Sequence, residues 1–218
     1  MKTKDKISLA FTGILVICAI VITGFVIRQE FFPPEPQLNT QQVEKWQQLE
    51  LKGQKTGPEN ASVQIIEFFD YECPFCKSVQ PAVQAIQQKY PGEVSVAYEH
   101  FPLSGHNFAF EAAVAAECAG KQKGFKSYHD LLFTHQDQIG IIPYESLATE
   151  ADLADMVSFK RCIEEEETAE IVQSGLNLAE EHQINSIPTF IINGKVISGA
   201  LSEQQLEGLV RKALAETK

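Results

Sequence analysis

Positive charge is scarce in this sequence, and long apolar runs, tryptophan and repeats are scarcer still. Only 18 Lys and Arg stand against 29 Asp and Glu, a formal net charge of −11. Leaving out the first 28 residues removes Lys2, Lys4, Lys6, Arg28 and Asp5, so 14 basic residues then face 28 acidic ones. A body that acidic excludes binding along phosphate backbones, which rests on clustered Lys and Arg. A single long apolar run excludes a polytopic membrane protein. Five cysteines in 218 residues are too few for a disulfide-scaffolded mini-protein. No repeat or low-complexity tract signals disorder. What remains is a globular composition, 44% hydrophobic with 13 Gly and 10 Pro. Roughly 160 to 190 residues are left for one domain, enough to bury a core without staples.

The one long apolar run covers residues 7–27 and carries no charge. As a helix it spans roughly 30 Å, about one hydrocarbon core. A cleaved signal peptide has a shorter apolar region and a small-residue cleavage site. Arg28, Gln29, Glu30 and two phenylalanines follow Ile27 instead. Leu15-Val16-Ile17-Cys18 places a bulky Ile17 where a lipoprotein box needs a small residue, so Cys18 reads as an apolar membrane residue. The expectation is an uncleaved transmembrane anchor at 7–27 behind a cytoplasmic stretch, residues 1–6. Three lysines before the run and only Arg28 just after it keep the N-terminus inside. The body is then extracytoplasmic, where disulfides persist. Pro33, Pro34 and Pro36 stiffen the exit, and residues 28–55 read as a linker with a short lead-in helix over 41–51.

Residues 62–70 form a β-rich apolar run, consistent with a strand buried on both faces. Cys73-Pro74-Phe75-Cys76 follows at once, and Val79, Ala82, Val83 and Ile86 then fall on one helical face until Pro91-Gly92. Val94, Val96 and Tyr98 alternate as a second strand. Residues 104–183 read as almost wholly helical, with a break at 139–143. Residues 189–192 form a strand, Asn193-Gly194 a hairpin turn, and 195–197 its return strand. Ser202 with Gln205 predicts a capping box, and Leu206, Leu209, Val210 and Leu214 the stripe of a terminal helix. The order is βαβ, a helical insertion, then ββα: an α/β domain over 56–218 with the insertion at about 104–183.

A CxxC at a helix start sets the first sulfur over free backbone N–H groups and the positive dipole end, which favours thiolate. The second cysteine lies nearly one turn on, close enough to close a disulfide. Thiol–disulfide exchange needs that asymmetry of one low-pKa attacker and one resolving sulfur. CxxC alone is also half a zinc site. Zinc needs two further ligands, and no second tight pair exists: His129 and His135 lie in a patterned helical stretch and its end.

Three segments together resemble the DsbA-like branch of the thioredoxin superfamily: residues 57–61 (GPENA), residues 67–76 (EFFDYECPFC) and residues 186–190 (SIPTF). The likeness covers about residues 57–217 and implies a thioredoxin core with an inserted helical domain. It makes Cys73 the exposed nucleophile and Cys76 its buried partner. Glu67, six residues before Cys73, matches the family's buried acid, which moves protons to and from Cys76; burial raises such a carboxyl's pKa. Pro188 matches the cis-proline beside the CxxC, with the Ile187 backbone, Pro74 and Phe75 meeting the substrate chain. Pro81 matches a structural kink in the active-site helix. Cys118 and Cys162 match positions that form a second, structural disulfide in some members; the alternative is two buried thiols, and an even pair in one subdomain of an oxidising compartment favours the bridge. His100 and His106 flank a family-like segment and read as packing or loop histidines.

The resemblance implies a membrane-anchored thiol–disulfide oxidoreductase that needs no cofactor or metal. Its clients would be exported cysteine-containing proteins, and a membrane protein of the DsbB or vitamin-K-epoxide-reductase-like kind would reoxidise it. Phe75 stands where the family's best-known oxidases have histidine, so Cys73 loses a donor and a positive charge. The same site run as a reductase or isomerase is therefore the alternative. A metal-binding thioredoxin-like domain and a non-catalytic binding module are further readings. The second has no need of Cys73, Cys76, Glu67 and Pro188 together.

Overall fold

The computed structural model describes residues 38–217 together with Thr23. The anchor expected at 7–27, the stretch before it and the first part of the linker lie outside those residues, Thr23 excepted. Among the described residues no helix is long and apolar enough to cross a membrane.

In chain order the strands are β1 (Leu38–Gln42), β2 (Lys55–Thr56), β3 (Val63–Phe69), β4 (Val94–His100), β5 (Thr189–Ile192) and β6 (Lys195–Ser198). The α-helices are α1 (Pro74–Lys89), α2 (Ala109–Gly120), α3 (Phe125–Thr134), α4 (Tyr144–Glu150), α5 (Met156–Glu164), α6 (Ala169–Glu181) and α7 (Glu203–Glu216). The strands make one mixed sheet in the order β1-β6-β5-β3-β4-β2. β3 and β4 run parallel, joined by α1, while β5 pairs antiparallel with β3 and β6 with β5. Helices α2 to α6 fill the chain between β4 and β5, where the sequence predicts the insertion.

β3 sits at the centre because both of its faces are apolar. Val63, Ile65 and Phe69 enter one core cluster with Val79, Val83 and Ile86 of α1 and Leu206 and Val210 of α7. Ile66 and Phe68 enter a second cluster on the opposite face, with Leu178 of α6, Ile191 and Val196. Each buried Val, Ile or Phe contributes about 1.5–3 kcal/mol against the exposed state. The alternation also places Glu67 on the face that carries Ile65 and Phe69, against α1.

The local signals are met where they are strong. Asn193 and Gly194 both take positive φ, 44° and 87°, as a tight hairpin turn requires. A Cβ on Gly194 would meet Trp46. The Ser202 side chain accepts from the Gln205 backbone, and the Gln205 side chain accepts from the Ser202 N–H. The lead-in differs from expectation. Instead of a helix over 41–51, the chain forms β1 and a 3-10 turn at Trp46–Gln48. β1 pairs antiparallel with β6, and the Val43 N–H bonds the Gly194 carbonyl at 2.8 Å. The reason is the open edge of β6: its unpaired backbone groups take a strand, and the weak stripe at Val43, Trp46 and Leu49 packs on the second cluster.

Candidate active site

Strand β3 runs straight into the candidate site. After Phe69, Asp70 ties the following turn to the chain beyond β4. Its Oδ1 accepts from the Glu72 N–H at 2.7 Å, and its Oδ2 accepts from the Leu103 N–H at 2.8 Å and His106 Nδ1 at 2.7 Å. Gln136 holds the same turn from the helical insertion, its Nε2 donating to the carbonyls of Tyr71 at 2.7 Å and Cys73 at 3.0 Å. The turn delivers Cys73 to the N-cap of α1, with Pro74 in its first turn. Proline suits that position, since its missing N–H would have had no helical partner.

Cys73 and Cys76 are both thiols here. Cys76 is fully buried, and Cys73 is only 4% exposed. The expectation of an exposed nucleophile is therefore corrected. Cys73 packs into the same apolar cluster as Cys76 and Val79, and the exposed groups of the motif are Pro74 and Phe75, the latter at 65%. The two sulfurs are electrostatically opposite. A hydrogen bond from the Cys76 thiol, aided by the backbone N–H groups of Cys76 and Phe75, lowers Cys73 to about 6 against burial. The same hydrogen bond, with burial, pushes Cys76 far above the ordinary thiol range. At neutral pH the negative charge is on Cys73 and the proton on Cys76.

Behind the pair lies Glu67, fully buried. Burial raises its carboxyl to about 8, opposed by a hydrogen bond from Gln80 and by the charge of Lys126. Gln80 Nε2 donates to Glu67 Oε1 at 3.0 Å, and Gln80 Oε1 meets His129 Nε2 at 3.0 Å. His129 Nδ1 in turn meets the Tyr71 hydroxyl at 3.0 Å. Glu67 Oε2 is buried and has no hydrogen-bond partner among the described residues. Carboxyl and thiol feel each other, for the charge on Glu67 contributes to raising Cys76.

The Ile187-Pro188 peptide is cis, and it immediately precedes β5. Thr189 pairs with Phe68 in the antiparallel register, so Pro188 stands beside the end of β3 from which the cysteine loop departs. The other two cysteines lie in the insertion: Cys118 of α2 and Cys162 of α5 are joined by a disulfide. His100 is buried with its Nε2 2.9 Å from Glu117 Oε1, and His106 serves Asp70. Among the described residues no group of three or more His, Cys, Asp and Glu could hold a metal.

From the sequence alone Gln80, Tyr71, Asp70 and Gln136 carry no site role, and His129 figures only among the zinc ligands set aside. A signal existed for two of them. Gln80 follows Val79 on the buried side of α1, and His129 interrupts an aromatic stripe on α3, each a polar group inside an apolar pattern.

The family model described as thioredoxin matches residues 51–212. Na(+)/H(+) antiporter NhaA 3 of Salinispora tropica is 32% identical over 163 residues, which is 74% of this chain but 25% of that protein. The chain thus spans about a quarter of the length of that relative. Disulfide bond formation protein D of Bacillus subtilis is 27% identical over 178 residues, covering 77% of this chain and 80% of the relative. Among solved structures, oxidised BdbD from Bacillus subtilis matches with a TM-score of 0.69 at 23% identity, over 82% of this chain and 98% of that one. At that identity the likeness speaks to the fold. The family match takes in both cysteines of the motif, Glu67, the helical insertion and Pro188, and the chain belongs to the thioredoxin family.

Proposed function

We propose that this chain is a protein thiol–disulfide oxidoreductase that works outside the cytoplasm and introduces disulfides into exported proteins. The observation that carries the reading is the split of Cys73 and Cys76 into a thiolate at a helix N-terminus and a protonated, buried thiol. A metal-binding domain or a plain binding module has no use for that split. A curated relative of similar length bears the name disulfide bond formation protein D, which supports the same direction.

The reaction starts from a Cys73–Cys76 disulfide. A client thiolate attacks the Cys73 sulfur, the sulfur–sulfur bond breaks, and Cys76 leaves with the electron pair. Glu67 gives its proton to that leaving thiolate and is reprotonated from solvent. A second client thiolate then attacks the client sulfur of the mixed disulfide and expels Cys73 as the stabilised thiolate. The client loses two electrons and the cysteine pair gains them. Pro188 and the Ile187 backbone flank the client chain, with Pro74 and Phe75 on the exposed rim. Cys118 and Cys162 hold the insertion together and take no part. A membrane protein of the DsbB or vitamin-K-epoxide-reductase-like kind withdraws the electrons again, kept near by an anchor at residues 7–27.

The same site run as a reductase is favoured by one feature, Phe75, which adds neither a donor nor a charge to Cys73. The reduction potential separates the two directions. The full chain is equilibrated in redox buffers, alkylated and analysed by mass spectrometry, with reduced RNase refolding as the activity. A potential well above the glutathione range with RNase oxidation supports the donor. A value near thioredoxin's, roughly −270 mV, overturns it in favour of the reductase. Loss of all exchange in Cys73→Ser is expected, and retained exchange would place the chemistry elsewhere.

A further inference from the structure

The mechanism above uses Glu67 but leaves unexplained the polar chain behind it, which joins three elements inside an otherwise apolar core. Tyr71 lies in the turn after β3, Gln80 on α1 and His129 on α3, and all are buried. Such a network costs stability unless every member is satisfied, so its polarity is worth working out.

The Tyr71 hydroxyl has His129 Nδ1 as its hydrogen-bond partner. A buried O–H must donate, so Nδ1 accepts, and His129 carries its proton on Nε2. That Nε2–H then donates to Gln80 Oε1, which fixes the amide with its NH2 toward Glu67 Oε1. Each link leaves the next a single orientation. With an N–H aimed at Oε1, a carboxyl proton on that oxygen would face a donor. The proton therefore resides on Oε2, the oxygen with no hydrogen-bond partner among the described residues.

We propose that Gln80, His129 and Tyr71 are positioning residues for Glu67: a one-way hydrogen-bond chain that keeps the exchangeable proton on Oε2, free for transfer to Cys76. The proposal rests on the exchange reading for its purpose, but its structural content concerns Glu67 alone. The other members are silent over the working range. Burial drives His129 well below the ordinary imidazole value and Tyr71 well above the ordinary phenol value, so neither changes its proton count near neutrality. The groups that face Glu67 from the packed elements are Cys76 on α1, Tyr98 on β4 and Lys126 on α3, Lys126 being itself paired with Asp130. Of these, Lys126 favours the ionised carboxylate, as the Gln80 N–H does. Tyr98 is pushed up to well above neutral by burial and by Glu67.

The test follows the carboxyl directly. The reduced full-length chain is labelled with carboxyl-13C glutamate and titrated by NMR, with Glu67→Gln identifying the signal and 15N-histidine reporting the His129 tautomer. The wild type is expected to show Glu67 titrating near 8 and His129 protonated on Nε2. In Gln80→Met the midpoint rises by about one pH unit, a tenfold change in ionisation at fixed pH. In Tyr71→Phe, which keeps the ring, the rise is smaller and His129 loses its fixed tautomer. A folded Gln80→Met with an unmoved Glu67 midpoint overturns the proposal, as does a His129 proton on Nδ1. Should Gln80→Met fail to fold, Tyr71→Phe decides: an unchanged tautomer and midpoint overturn it. Exchange is assayed on the same samples. A wild type that exchanges no disulfides sinks the exchange reading alone, because the NMR midpoints still support or overturn the chain of positioning residues.

Discussion

The molecule carries two pairs of cysteines that share one fold and do opposite things with their sulfur. Cys73 and Cys76 are close in sequence, remain thiols and sit at the start of α1. Cys118 and Cys162 are 44 residues apart and are bridged between α2 and α5. Cys118 lies late in an alanine-rich helix and Cys162 in the last turn of its own, so neither cysteine starts the helix that carries it. Their polar neighbour is the Thr168 hydroxyl, 3.6 Å from Cys118 and donating to the Val114 carbonyl. The first pair has a buried acid behind it, two backbone N–H donors on one sulfur and a charge gradient between its members. The difference teaches that surroundings, rather than the presence of two cysteines, decide whether a pair is chemistry or a staple.

The largest effect that can break the comparison is on stability. Replacing both members of the bridge, Cys118→Ala with Cys162→Ala, opens a loop closed over 44 residues. Loop-closure entropy then predicts a loss of about 4 kcal/mol. Urea unfolding measures it, and exchange by the folded double variant is expected to stay within about twofold of wild type. A double variant that is fully stable but inactive would reverse the roles of the two pairs.

The asymmetry between the pairs was partly legible. A CxxC directly after an apolar run names the reactive pair, because both cues are local. The hairpin at Asn193-Gly194 and the cap at Ser202 are local as well. By contrast, β1 pairs with residues near 197, and no window along the chain holds both partners. The covering of Cys73 has the same origin: its apolar neighbours come from several elements. So does the Glu67 network, for Gln80, His129 and Tyr71 read as isolated polar residues until three elements bring them together. Glu67 itself was legible only through its place six residues before Cys73 in a family-like segment; its burial follows from the two-sided core.

A second prediction sharpens what the buried acid costs. Unfolded Glu67 loses its proton near 4.5, whereas the folded carboxyl keeps it to about 8. Because the folded pKa is raised, the contribution to stability is fully present below 4.5 and is lost as pH rises through 8. Within that window unfolding releases a proton, so stability falls by about 1.4 kcal/mol per pH unit. Glu67→Gln removes the slope. Between pH 5 and 7 the variant should gain about 2–3 kcal/mol on the wild type in urea unfolding of the reduced protein. Equal slopes in the two proteins would mean that Glu67 is already ionised, and the proton donor proposed for Cys76 would be gone. Glu99, also raised by burial, to about 7, is present in both and cancels from the difference.

The smallest expected effect tests how much of the thiolate belongs to the dipeptide. Cys73 is lowered to about 6 chiefly by the Cys76 thiol and then by the backbone N–H groups of Cys76 and Phe75, all of which survive Phe75→His. Phe75 is 65% exposed, so a charge placed there is screened by water and salt. Phe75→His should therefore lower the Cys73 midpoint by only about half a pH unit, and raise the Cys73–Cys76 potential by about 15 mV. Thiolate absorbance against pH and redox equilibration measure the two. The Cys118–Cys162 bridge, with no titrating member, should not respond at all. A shift of two pH units or more would mean that the dipeptide governs Cys73, and that the hydrogen bond from Cys76 is the lesser influence. A shift near zero would leave the helix start and the buried thiol as sufficient causes, and would make Phe75 a contact surface for the client chain rather than an element of redox control.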